Sequence, residues 1–74
     1  MKHISTVVEV AARDGARGRT WWRIKTADGN GYSTHDALTA SLCQRAQETG
    51  AALEIDSFGG FYYRRIDGVK LVAA

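Results

Sequence analysis

Seventy-four residues are half the common domain length, so one domain over residues 1–74 is expected, with no room for a second core. Hydrophobic residues at 45% and charged residues at 24% match a globular chain, and ten basic against eight acidic side chains leave only +2, too little for net charge to announce a nucleic-acid binder. A lone Cys43 excludes an internal disulfide framework and a cysteine-based zinc knuckle, and no apolar run approaches the roughly 18 residues of a membrane span. Residues 1–9 carry one Lys and then alternate, unlike a signal-peptide core, so a reducing, cytoplasmic setting is expected.

Residues 4–12 are rich in β-branched side chains with imperfect alternation, which predicts a strand with Ile4, Thr6, Val8, Val10 and Ala12 on one face. Residues 13–19 hold two Gly, three Arg and no large apolar side chain, and read as a loop. The strongest strand signal is 20–27, with Trp22, Ile24 and Thr26 on one face and Trp21, Arg23 and Lys25 on the other. Asp28-Gly29-Asn30-Gly31 supplies two tight-turn signals, after which residues 32–34 pair back as a short third strand.

The period then changes. Ser33-x-x-Asp36 resembles a capping box, with Thr34 and Asp36 as alternative caps, before a helix expected over 36–49, with Leu38, Leu42 and Ala46 recurring every four residues and Gly50 reversing the chain in a left-handed C-cap. Residues 51–56 alternate cleanly, with Leu53 and Ile55 inward. A turn at 57–60 leads to a fifth strand over 61–66, bulged or bent at Asp67-Gly68 and continued by 69–72. Val8, Val10, Trp22, Ile24, Leu38, Leu42, Leu53, Ile55 and Ile66 are the expected core.

Five short antiparallel strands left open would have two raw edges and an uncovered face. Closing them into a barrel with the helix over one mouth removes both problems. The order β-β-β-α-β-β, residues 22–29 leading into a short strand, and the closing Arg65-Ile66-Asp67-Gly68-Val69 stretch resemble a small OB-fold domain over nearly the whole chain. The fold class is thus mainly β with one helix, a five-stranded OB-fold-like barrel. An open three-stranded sheet backed by a helix, as in AP2-type domains, would leave residues 53–72 without a role.

The resemblance implies a ligand face on the second and third strands, flanked by the first and last strand connections. That face gathers Arg13, Arg17 and Arg19 from the first loop, Trp21, Arg23 and Lys25 from the second strand and Tyr32 or Ser33 from the third. Phe58, Phe61, Tyr63 and Arg65 join from the last connection and strand. Guanidinium groups that follow phosphates and rings that stack on bases suit single-stranded DNA or RNA, bound weakly by one short domain. The competing expectation is a protein-interaction or assembly module, a homo-oligomer or a capturer of a partner protein, docking through Trp21, Phe58 and Phe61. Trp22 is read as core.

Catalysis has little to stand on. His3 and His35 are the only imidazoles, Cys43 is expected as a small buried thiol, and no nucleophile is spaced to use His35. Asp28-Gly29-Asn30-Gly31 lacks the spaced ligands of a calcium loop, and Gly59-Gly60 lacks a phosphate-loop pattern. No enzyme, metal site, cofactor or membrane partner is expected.

Overall fold

A computed structural model describes residues 2–60 and 63–72. Its elements are β1 (Lys2–Asp14), a 3-10 turn (Ala16–Gly18), β2 (Thr20–Thr26), β3 (Gly31–Thr34), α1 (Ala37–Thr49), β4 (Ala52–Phe58) and β5 (Arg64–Leu71). The strands close into a barrel in the order β1-β2-β3-β5-β4, with every pairing antiparallel except the short parallel contact of β3 with β5. The expected OB-like architecture stands.

β1 serves two neighbours. Its first part, Lys2 to Thr6, pairs with β4, and the remainder pairs with β2. Between Val7↔Thr26 and Glu9↔Lys25 the register shifts, so Val8 is an extra residue on β1. A bulge of this kind reverses which side chains face inward. Val7 is therefore buried while Val8 is 53% exposed and Ile4 is 61% exposed, a correction to the expected inward set of Ile4, Thr6 and Val8. Past the bulge the expected phase returns: Val10, opposite Ile24, packs against the core. β1 runs to Asp14 because Arg13 and Asp14 pair with Trp21 and Thr20, and the presumed loop shrinks to the 3-10 turn.

The turn after β2 is built by Asp28. The Thr26 hydroxyl donates to its carboxylate at 2.5 Å, and the Asn30 amide donates at 3.1 Å. α1 starts where Asp36 accepts hydrogen bonds from the Thr39 amide and hydroxyl, and it ends at Gly50, whose φ of 74° matches the expected C-cap. Its buried residues are Ala40, Cys43 and Ala46, while Leu38 is 81% exposed. Four-residue steps drift by about 40° each around a 3.6-residue helix, so Leu38 leaves the face that Ala46 shares with Cys43. Small side chains at three-residue steps let the helix sit close to the barrel.

The core joins Val7, Ile24, Tyr32, Cys43, Ala46, Leu53 and Ile55, with Val10, Leu42, Ile66 and Val69 packed around it. Burial pushes the Cys43 thiol up to about 11, so it is an inert packing group. Trp22, expected in the core, is only half-buried; it stands between Ala12 and Thr34 at the last register position that β2 shares with β3. Ser57 and Phe58 extend β4 instead of turning. β5 is continuous from Arg64, with its bulge at Asp67 between Ser57↔Ile66 and Asp56↔Gly68, as the Asp67-Gly68 signal predicted. Phe61 and Tyr62 lie outside the described residues.

Candidate functional site

Paired residues in adjacent strands share a face. The registers Ala11↔Arg23, Arg23↔Ser33, Ser33↔Arg65 and Arg65↔Phe58 therefore run one row of outward side chains across β1, β2, β3, β5 and β4. Arg13 and Trp21 form a pair one step further along β1 and β2, and Lys25 stands opposite Glu9 on the other side. Arg13, Trp21, Arg23, Lys25, Arg65 and Phe58 thus occupy one face, as the alternation of each strand implies. Glu9 is the member not foreseen: it holds the Arg23 guanidinium at 3.0 Å. A side-chain hydrogen bond with Tyr63, and then the Glu9 carboxylate, stabilise the Arg23 charge and raise its pKa, so this cation already has its counter-charge.

Tyr32 is not on that face. It pairs with Ile24 and is wholly buried, and burial raises its phenol pKa. Of the two third-strand alternatives, Ser33 is the outward one, because alternation admits only one of two neighbours. Arg17 is in the 3-10 turn at φ 60°, and Arg19 borders a separate concavity with Thr20 and His35. Phe61 is outside the described residues.

The face is not flat. Gly15, Ala16, Trp21, Ser33, His35, Gly60, Tyr63 and Arg65 enclose an open cleft of about 340 Å³. Its wall is the Trp21–Tyr63 pair, ring centres 6.1 Å apart and tilted by 44°. Two glycines shape this wall. A Cβ on Gly31 would come 2.8 Å from the Tyr63 ring, and one on Gly15 would come 2.7 Å from the Arg19 carbonyl oxygen and 3.2 Å from Trp21. His35, dismissed from sequence for want of a nucleophile, is a lining residue; the β2–β3 register, with Trp22 opposite Thr34, carries the next residue, His35, toward Trp21.

A second surface went unrecognised in the sequence. Ile4, Thr6 and Val8 follow one another along the outside of β1. Thr6 is paired with Ala52, and the Val72 amide bonds to the Ala52 carbonyl at 3.1 Å, so Ala52 and Val72 extend the strip sideways. Its border is charged and internally matched, with Lys70 on Glu54 at 3.1 Å. Among the described residues no group of His, Cys, Asp or Glu side chains is arranged to hold a metal ion, and no helix is long and apolar enough to cross a membrane.

No protein-family model and no curated protein matches the chain. Among solved structures it is similar to the crystal structure of a cholera toxin-like B-subunit from Citrobacter freundii, with a TM-score of 0.76 over 96% of this chain and 85% of that one, at 13% identity. This likeness establishes the fold. The nucleic-acid expectation is corrected with it: the barrel that matches over nearly the whole chain is named a cholera toxin-like B-subunit. The geometry agrees, because Tyr32 is sealed in the core and Arg23 is held by Glu9. A row of unmatched cations that tracks phosphates is therefore not what the second strand presents.

Proposed function

We propose that this chain is a non-enzymatic assembly module that associates with further copies of itself through the outward strip of Ile4, Thr6, Val8, Ala52 and Val72. The observation that carries this reading is the bulge at Val8, which turns large apolar side chains of β1 to solvent next to the end of β5. Contiguous apolar surface with a charged rim is the composition of an interface, with a water-excluding centre and polar borders. A short chain also has reason to share surface, since folding alone buries only about 60% of what a 60-residue chain exposes. The similar solved protein is named a B-subunit, one part of a larger whole, which supports an assembling role.

The test is the mass in solution, by sedimentation or light scattering across a concentration series, for the wild type and Val8→Lys. The wild type is expected to reach a defined multiple of 8.1 kDa, and Val8→Lys to remain at the monomer mass with an unchanged circular dichroism spectrum. A wild type that stays monomeric refutes self-assembly. An oligomer untouched by Val8→Lys refutes this strip as its interface.

A further inference from the structure

The cleft shares no residue with the strip proposed to carry that assembly. Its volume of about 340 Å³ falls at the small end of the range for sites that hold small molecules, about 300–1,000 Å³. Two observations describe its occupant. One wall is aromatic: Trp21 and Tyr63 are tilted against each other, leaving ring surface turned to the cleft for a third ring. The charge lining it is basic: Arg65 and His35 border it, no acidic residue does so among the described residues, and the adjoining concavity adds Arg19 through the shared His35.

Arg65 differs from Arg23, its row neighbour across Ser33. Arg23 is paired with Glu9, whereas Arg65 is exposed and takes part in no ion pair among the described residues. A guanidinium fork without a carboxylate, beside a hydroxyl and an imidazole, is the donor set for an oxyanion. Among the described residues one arginine without an ion pair lines the cleft itself, which matches one negative charge and separates this site from one built for a polyanion. We infer that the cleft binds a small aromatic carboxylate, its ring against Trp21 and Tyr63 and its carboxylate on Arg65, with Ser33 and His35 in reach of the same oxygens. The wall is formed before any ligand arrives, because Gly15 and Gly31 admit Trp21 and Tyr63 where a Cβ would crowd them.

The same chemistry is carried by a free aromatic acid or by a peptide ending in an aromatic residue. The experiment is an NMR titration of the full chain, following the Trp21 indole N–H, identified by its loss in Trp21→Phe. Phenylacetate is the probe. Phenylacetamide removes the charge at the same shape, and acetate removes the ring. Phenylacetate is expected to shift the Trp21 signal saturably and to bind at least about tenfold more tightly than either control. An acetylated Gly-Gly-Phe peptide and its C-terminal amide form the second arm: tighter binding than phenylacetate assigns the carboxylate to a chain end, and weaker binding assigns it to a free acid. Arg65→Gln is expected to erase the preference for carboxylate over amide while the ring contact persists. No saturable shift with either carboxylate, or equal affinity for phenylacetate and phenylacetamide, overturns the inference. The wild-type comparison needs no variant to fold. The titration is repeated in Val8→Lys, so failure of self-assembly and failure of ligand binding are read separately.

Discussion

The two outward surfaces of this barrel are made from the same strands and differ in kind. The β2–β3–β5 side combines rings, an arginine with no ion pair among the described residues, and glycines into a concavity; the strip on β1, β4 and the end of β5 is a shallow run of apolar side chains whose neighbouring Glu54 and Lys70 satisfy each other. A concave surface with free donors suits something that enters. A flat apolar surface with matched charges suits something laid against it. The difference arises from backbone detail: glycines at 15 and 31 open one side, and one extra residue at Val8 turns the other outward.

The largest effect is expected where both surfaces share support. Tyr32 is wholly buried between them, and Tyr32→Ala should cost about 3–5 kcal/mol and unfold the chain, so ligand and assembly signals vanish together in thermal and NMR measurements. Trp22→Ala should cost less, about 1–3 kcal/mol, because that ring is only half-buried, and a melting curve should show the variant still folded. If Trp22→Ala instead unfolds the chain and Tyr32→Ala does not, the core has been assigned to the wrong ring.

Smaller changes should separate the surfaces. Gly50→Val forces a β-branched residue to φ 74° just before β4, and about 1 kcal/mol or more of stability should be lost to denaturant. The strain falls two residues from Ala52, so self-association should weaken while the cleft keeps its probe. Gly31→Ala is the converse. Its Cβ meets the Tyr63 ring, which can swing away, so stability should fall by no more than about 1 kcal/mol while the Trp21–Tyr63 pair opens and tryptophan emission changes.

The least effect is expected from acid. Hydrogen bonds from the Thr26 hydroxyl hold Asp28, and those from Thr39 hold Asp36, below their ordinary value of 3.8. A carboxylate whose folded pKa is depressed contributes its stabilisation in full above the ordinary value, and loses it as pH falls through the folded one. The melting temperature should thus drop below about pH 4, and Asp28→Asn should flatten that drop. An acid limb unchanged in Asp28→Asn would show that other carboxylates carry it.

Much of this molecule was legible in local chemistry. Asp28-Gly29-Asn30-Gly31, the Asp36 cap, Gly50 and the bulge at Asp67 were each readable because a turn, a cap or a bulge is decided by a few neighbouring residues. The outward face of β2 was readable too, since alternation places Trp21, Arg23 and Lys25 together whatever the strand pairs with. Phase along β1 was not. Val7-Val8-Glu9-Val10 fits either register, and the choice depends on where β1 leaves β4 for β2. Leu38 misled for a related reason: a leucine every four residues suggests a stripe, but the barrel accepts the small face of Ala40, Cys43 and Ala46.

The sequence by itself determined the order of elements and the side of β2 that carries its rings and cations, because periodicity and turn chemistry are local properties of the chain, and the raw edges of an open sheet pointed to a closed barrel. Tertiary structure alone decided that Glu9 neutralises Arg23, that Ser33 rather than Tyr32 faces outward, that His35 and Arg65 share a cleft with Trp21 and that Ile4 and Val8 are exposed. Each of these depends on which strands become neighbours and in which register, and that is set when all five close around one core.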